Sequence, residues 1–123
     1  MPKISSIHID VSLDDDKIPE DISWKATDST ADSNNKARAM MLSFWDSADK
    51  NALRIDLWTK KMMVDEMADF MYQTIMGMAD TFERATRDND LTAEMKKFAR
   101  DFLEKFRSKQ EPAASAGSGT KNN

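Results

Sequence analysis

Acidic residues are the side chains of this sequence with the clearest potential for chemistry. Asp14, Asp15 and Asp16 follow one another, as carboxylate ligands do in calcium-binding loops. Such a loop also requires a glycine and a distal glutamate at fixed positions, and both are missing here. We therefore interpret the run as a solvated turn and not as a calcium site.

Two pairs of carboxylates and one histidine are the remaining candidates for acid–base or metal chemistry. The pairs are Asp10 with Asp56 and Asp65 with Glu66. Both have residue types that general acid–base catalysis uses, but surface and helix-dipole roles explain them as well. His8, the single histidine, has neither a second histidine nor a cysteine with which to bind a metal. The sequence also lacks nucleophile-elbow, phosphate-loop and dinucleotide-binding motifs. It therefore predicts no catalytic, cofactor-binding or metal site, and we expect that the protein is not an enzyme.

The composition limits the kinds of partner. The chain of 123 residues has a formal net charge of −4, whereas nucleic acids and anionic membrane surfaces select basic patches. It contains no cysteine, which excludes disulfides and thiol catalysis. Neither a signal-like N-terminal run nor a stretch of about 18 apolar residues is found. We expect a cytoplasmic protein without cofactors, nucleic-acid partners or membrane insertion.

The first half of the chain has the pattern of strands. Residues 1–110 are expected to form a single domain, and residues 111–123, rich in proline, alanine, serine and glycine, a disordered tail. Apolar and polar residues alternate over residues 7–13 and 22–26, which predicts two half-buried strands in a hairpin. Pro19 fits the entry of the second strand, because proline cannot donate a hydrogen bond to a neighbouring strand.

Residues 36–48 allow two interpretations. Their apolar residues have helical spacing, and alanine and methionine favour helices. Alternatively, a strand over residues 38–46 joins the alternating run Leu53–Thr59 through a short polar turn. We prefer this hairpin, because it provides that run with a sequential partner. The preferred fold is α+β with a four-stranded antiparallel sheet. The alternative is a three-stranded sheet with residues 36–48 helical.

The hairpin prediction defines a candidate interface. With Asp46 opposite Ala52, one face is expected to form core with Trp45, Leu53, Ile55 and Leu57. The other face is also largely apolar, and a small sheet with two apolar faces needs a cover on each. Helices would supply one cover and a second copy of the chain the other, which predicts a homodimer or higher homo-oligomer. The candidate interface residues on this second face are Met40, Leu42, Phe44, Arg54, Asp56 and Trp58.

Two helices are predicted after the hairpin, over residues 63–85 and 90–109. Their apolar stripes, which include Met78 on the first helix and Phe98 on the second, are expected to face inward. Asp90 is the predicted N-cap of the second helix. Both helices are expected to pack on one face of the sheet.

Three segments carry a specific resemblance. They are DISWKATD at residues 21–28, FWDSADKNALRIDLWTK at 44–60 and VDEMADFMYQTIMGMADTFERAT at 64–86. Together they resemble the gliding motility-associated protein GldC family, with a similarity that runs from about Ser5 to Phe106. The resemblance implies a small accessory protein of the bacterial gliding apparatus, which is associated with type IX secretion. It transfers no catalytic residue.

The resemblance leads to two functional expectations. The first is a non-enzymatic adaptor that binds protein partners of the gliding machinery. The order of four strands and two helices is also reminiscent of SecB-like chaperones, which is a likeness of topology alone. The alternative is therefore a SecB-like holdase that binds unfolded polypeptides through exposed apolar and methionine-rich surface.

Overall fold

The computed structural model describes residues 3–27 and 35–110 and divides into two compact units, Met1–Met62 and Met63–Asn123. The first unit contains five strands and the second contains two helices. They are β1 (Ile7–Leu13), β2 (Pro19–Ala26), β3 (Asn35–Ala37), β4 (Ala39–Asp46), β5 (Asn51–Trp58), α1 (Val64–Thr86) and α2 (Asn89–Gln110).

This order confirms the predicted α+β class and the two C-terminal helices. The single domain over residues 1–110 and the packing of the helices on the sheet stay predictions. The predicted disordered tail, residues 111–123, lies outside the described residues.

The first hairpin forms as its alternating pattern predicts. β1 and β2 pair antiparallel, with Val11 opposite Ile22 on a face that is apolar over most of its length. Ile22 is 1% exposed and is the largest apolar side chain buried in this unit. Pro19 is the first residue of β2 and lies opposite Leu13, where the register becomes irregular. A residue without an N–H is tolerated at such a strand entry.

The predicted four-stranded sheet is divided into two sheets at Arg38. Before this bend, β3 pairs with β2 to give a three-stranded sheet in the order β1–β2–β3. After it, β4 pairs with β5 in a separate two-stranded sheet, which we call the ribbon. Thr59, directly after β5, donates hydrogen bonds to the Arg38 carbonyl oxygen from its backbone N–H (2.7 Å) and its Oγ1 (2.9 Å). One carbonyl thus holds the base of the ribbon at the bend.

These strands also decide between the two interpretations of residues 36–48. A three-stranded sheet, as in the alternative, is present, but it is built from β1, β2 and β3 and does not include the run Leu53–Thr59. The stretch that the alternative made helical instead lies mainly in β3 and β4, so the preferred hairpin of β4 with β5 is confirmed. Cross-strand pairing outweighs the modest helix preference of alanine and methionine here.

The helices form an antiparallel hairpin joined by Arg87 and Asp88. Arg87 ends α1 with a left-handed backbone conformation, φ 61°. Asp88, and not the predicted Asp90, caps α2, because its Oδ1 accepts a hydrogen bond from the Leu91 backbone N–H at 3.0 Å. Carboxylates at this position satisfy amide groups that the first helical turn leaves without partners.

Small side chains lie at the contact between the two helices. The buried residues are Ala68 and Ala79 on α1 and Thr92, Ala99 and Leu103 on α2. The prediction that the large apolar side chains face inward is wrong for Phe98, which is 61% exposed, and for Met78, which is also exposed. Among the described residues, neither helix is long and apolar enough to cross a membrane.

Candidate interaction surface

The predicted interface residues all lie on the ribbon, but its register differs from the prediction by one residue. Asp46 lies opposite Asn51 and not opposite Ala52. The connecting turn is one residue shorter than expected, and Lys50 closes it with a positive φ of 54°. Asp46 Oδ1 also accepts hydrogen bonds from the backbone N–H groups of Ala48 (2.9 Å) and Asp49 (3.3 Å). This side-chain turn stabilises the shorter connection.

A register shift of one residue changes which residues of β4 share a face with which residues of β5. It separates the six predicted interface residues into two groups of three on opposite faces of the ribbon. We call the first surface the apolar face, and it pairs Met40 with Leu57, Leu42 with Ile55 and Phe44 with Leu53. The second, the aromatic face, carries Trp45, Arg54, Asp56 and Trp58, together with Ala39, Met41, Ser43 and Ala52.

Both faces of the ribbon expose large apolar side chains. Five of them are between 51% and 66% exposed: Phe44, Leu53 and Ile55 on the apolar face, and Trp45 and Trp58 on the aromatic face. Trp45, Leu53 and Ile55, which were predicted to form core beneath the helices, are thus exposed in the structure, while the packing of the helices on the sheet stays a prediction. Complete burial of side chains of this size is worth about 1.5–3 kcal/mol each. A concentration of such side chains on one small element is typical of interaction surfaces.

An ion pair lies on the aromatic face. Along the ribbon it is located between Trp58, near the base, and Trp45, which lies opposite Ala52 near the turn. The Arg54 guanidinium donates to both carboxylate oxygens of Asp56, with N–O distances between 2.9 and 3.2 Å. Both side chains are substantially exposed to solvent, so the pair adds little to folding stability. It does place a planar cation and its partner anion on a surface with Trp45 and Trp58, and these aromatic and arginine side chains are favoured at interfaces.

The segment after β5 is tied to the first hairpin by two lysines. Lys60 forms an ion pair with Asp14, and Lys61 Nζ lies 3.0 Å from Asp21 Oδ1. The hydrogen bond from Lys60, with help from the backbone N–H of Ile18, lowers the pKa of Asp14. The hydrogen bond from Lys61 likewise lowers the pKa of Asp21. These lysines hold the chain at the base of the ribbon.

The same geometry supports the turn interpretation of the aspartate run. Asp14 Oδ1 accepts hydrogen bonds from the backbone N–H groups of Asp16 (2.8 Å) and Ile18 (2.9 Å), while Oδ2 faces Lys60. The carboxylate is thus engaged by its own turn. Over residues 3–27 and 35–110, no group of three or more histidine, aspartate and glutamate side chains is placed to hold a metal ion.

The candidate catalytic carboxylates Asp65 and Glu66 accept hydrogen bonds from the backbone at the start of α1. Glu66 accepts a hydrogen bond from the Met63 backbone N–H at 3.1 Å, and Asp65 accepts one from the Glu66 backbone N–H at 3.0 Å. Both acids therefore satisfy amide groups at the start of α1. Asp10 and Asp56 lie in different sheets, and Asp56 is engaged by Arg54.

The helical unit contains a groove. It has a volume of about 740 Å³ and lies between the start of α1 and the end of α2. Its described lining is Met63, Val64, Asp65, Asp69, Leu103, Phe106, Arg107 and Gln110. Across the groove, Arg107 Nη2 lies 3.5 Å from Asp69 Oδ1. The lining includes neither Trp24 nor Trp45.

Sequence reasoning missed the place of Trp45, Leu53 and Ile55 on the exposed surface. The signal that could have found them is local. Asp46 has the side chain that closes a turn onto its own backbone, and a four-residue loop follows from it. That loop length gives the observed register and, with it, the composition of both faces.

Comparison with known proteins identifies one family. Residues 19–108 match the family described as "Gliding motility-associated protein GldC-like". The matched region extends from the first residue of β2 into the last turn of α2, and it includes the whole ribbon. No curated protein matches the chain, and no solved structure matches it. The family match confirms the resemblance found in the sequence.

Proposed function

The chain belongs to the GldC-like family, which is associated with gliding motility, and from this premise we propose that it is a non-enzymatic accessory protein of the gliding machinery. It acts by binding other proteins of that machinery, including its type IX secretion-associated components, in the cytoplasm. The observation that carries this proposal is the ribbon, which exposes large apolar side chains on both of its faces.

The aromatic face is the proposed contact with the partner. It brings together the tryptophans and the arginine that most often dominate binding energy at interfaces, namely Trp45, Trp58 and Arg54. Asp56 holds the guanidinium in place through hydrogen bonds. The predicted interface residues Met40, Leu42 and Phe44 lie on the opposite face and provide a second, wholly apolar contact.

Site-specific photo-cross-linking in the native host tests which proteins the ribbon contacts. A photoreactive amino acid replaces Trp45 on the aromatic face or, as the matched control, His8 on the polar face of the three-stranded sheet. We expect gliding-machinery proteins to be cross-linked from position 45 and not from position 8. Cross-linking of the same proteins from both positions, or of none from position 45, contradicts the proposed surface.

A genetic test asks whether this surface is needed for motility. In a strain that lacks the protein, the double variant Trp45→Ala and Trp58→Ala is expected to fail to restore colony spreading. His8→Ala with Lys25→Ala, on the polar face of the three-stranded sheet, is expected to restore it. Circular dichroism and protein abundance in the cell show whether both variants are folded and present. Full restoration by the tryptophan double variant overturns the proposal.

A holdase is the second candidate function. It is favoured by the additional exposed apolar side chains of the helical unit, namely Met63, Val64, Met71, Met78, Leu91 and Phe98. Methionine-rich surfaces adapt to many clients, as a chaperone requires. Light scattering of an unrelated unfolding protein distinguishes the candidates. Suppression of its aggregation at about equimolar ratio supports the holdase, and unchanged aggregation supports the dedicated adaptor.

A further inference from the structure

The outer edge of β5 carries backbone groups that no neighbouring strand of the described chain takes up. Among the described strands, β4 alone pairs with β5. The Thr59 backbone N–H donates to the Arg38 carbonyl in the same register as the ribbon. Because hydrogen-bonding direction alternates along an antiparallel strand, Leu53, Ile55 and Leu57 direct their backbone groups towards β4. The backbone groups on the outer edge are then those of Ala52, Arg54, Asp56 and Trp58.

The residues of β5 are complementary to themselves about Ile55. One position away on either side is Arg54 or Asp56, two positions away is a leucine on each side, and three positions away is Ala52 or Trp58. A second β5 that runs antiparallel, with its Ile55 opposite this one, therefore places Arg54 opposite the partner's Asp56. It also places the small Ala52 opposite the partner's large Trp58.

We infer that the outer edge of β5 pairs with the same edge of a second copy of this chain, about a twofold axis at Ile55. The residues whose backbone groups point outward on one copy then lie opposite those of the other copy. About eight backbone hydrogen bonds therefore form between the two strands. Two intermolecular Arg54–Asp56 pairs lie on the joined aromatic faces, where opposite charges directly across a sheet stabilise the pairing. The two Ile55 side chains meet on the joined apolar faces.

The side chains disfavour registers shifted by one or two residues. A shift of two residues places Arg54 opposite the partner's Arg54, or Asp56 opposite the partner's Asp56, and like charges directly opposite are destabilising. A shift of one residue places outward-directed backbone groups against inward-directed ones and joins the apolar face of one copy to the aromatic face of the other. Self-pairing of β5 is thus specified by its side chains.

The outer edge of β4 is the competing site, and it lacks this specification. Ala39, Met41, Ser43 and Trp45 direct their backbone groups to that edge by the same alternation, and none of them is charged. Nothing there penalises a shifted register. Pairing through the edge of β5 leaves both faces of the ribbon open. The two proposals therefore use different surfaces, and either can fail without the other.

Complementary charge variants test the pairing between copies. Arg54→Asp makes both positions acidic and Asp56→Arg makes both basic, so each variant loses the ion pair within its own strand. We expect each alone to dimerise at least about tenfold more weakly than the wild type, as measured by analytical ultracentrifugation. We expect an equimolar mixture to regain the wild-type dissociation constant as a heterodimer.

Recovery on mixing can only come from contacts between chains, because neither variant regains its internal ion pair. The proposal is overturned if the wild type is a monomer at about 100 µM, if each variant alone dimerises like the wild type, or if mixing restores nothing. His8→Asp, on the polar face of the three-stranded sheet and outside the ribbon, is the matched control and should leave dimerisation unchanged.

Cysteine cross-linking provides a test that does not depend on charged variants. The chain has no cysteine, so a single introduced thiol reports one position. In the proposed dimer the two residues at position 55 form a pair without mutual hydrogen bonds, about 4.5 Å apart at Cα. That distance suits a disulfide. We expect Ile55→Cys to form an intermolecular disulfide under mild oxidation.

Leu42→Cys is the matched control, since Leu42 lies opposite Ile55 on the same face of the ribbon. It should cross-link at least about tenfold more slowly than Ile55→Cys. Faster cross-linking from position 42 identifies β4 as the dimer edge. Equal rates identify stacking of two apolar faces. Either result overturns pairing through β5.

Discussion

The three-stranded sheet and the ribbon are built from the same kind of antiparallel hairpin, yet they differ in how their faces are used. In the three-stranded sheet, apolar and polar residues are on opposite faces, with Ile22 buried on one and His8, Asp10, Ser23 and Lys25 on the other. In the ribbon, large apolar side chains are exposed on both faces. An amphipathic sheet needs one cover, whereas the ribbon needs two.

This difference indicates that the three-stranded sheet stabilises the first unit, whereas the ribbon is available for association. Among the described residues of this unit, the buried side chains are Ile22 in β2 and Thr59 at the base of the ribbon. No residue between Ala39 and Trp58 is classed as buried. Substitutions in the sheet should therefore change the free energy of unfolding, and substitutions in the ribbon should change binding.

The largest expected effect is at the core of the three-stranded sheet. Ile22→Ala removes a buried side chain and should lower the free energy of unfolding by about 2–5 kcal/mol. Leu53→Ala, on the exposed apolar face of the ribbon, should lower it by less than about 1 kcal/mol. Urea unfolding at a protein concentration that favours the monomer measures both. Equal losses would remove the distinction between the two regions.

A smaller effect is expected where the ribbon joins the bend. Thr59→Val keeps the shape of the buried side chain but removes the hydrogen bond from Oγ1 to the Arg38 carbonyl. The backbone N–H of residue 59 still donates to that carbonyl, so the loss should be about 1 kcal/mol. Hydrogen exchange should show faster opening of β4 and β5 than of β1 and β2. Thr27→Val, at a more exposed hydrogen bond to the Ser6 N–H, serves as control.

The smallest effect is expected at the surface ion pairs, and it should depend on pH. Asp14→Asn keeps an oxygen for the amide hydrogen bonds of the turn but removes the charge that faces Lys60. The pKa of Asp14 in the folded protein lies below its ordinary value of 3.8. The pair therefore stabilises the fold above that pH, and this stabilisation is lost as the pH falls through the lowered pKa.

The variant should consequently be less stable than the wild type at pH 7, and the two should converge as the pH falls below about 4. Urea midpoints measured across this range test the prediction. Asp15→Asn, in the same turn, changes the net charge equally but leaves the ion pair of Asp14 with Lys60 in place, so it serves as the control. A gap between Asp14→Asn and the wild type that persists in acid would assign the effect to the turn and not to the ion pair.

The sequence by itself determined the first hairpin, the strand that became β5 and both helices, whereas β3 was not predicted and β4 was left open between strand and helix. The alternation over Ile7–Leu13 and Leu53–Thr59 and the helical spacing of α1 and α2 are local properties, so these elements could be predicted within a few residues of their observed bounds. The six interface residues could likewise be assigned to the hairpin of β4 with β5. The family resemblance depends on the same local runs and was confirmed over residues 19–108.

Only the tertiary structure decided which of those residues share a surface. The division of the sheet depends on the bonds from Thr59 to Arg38, which are 21 residues apart in the chain. The composition of both ribbon faces depends on the backbone bonds that Asp46 forms within its turn. Side-chain direction in a strand has a period of two. A turn that is one residue shorter therefore brings Phe44 opposite Leu53 and separates it from Trp58.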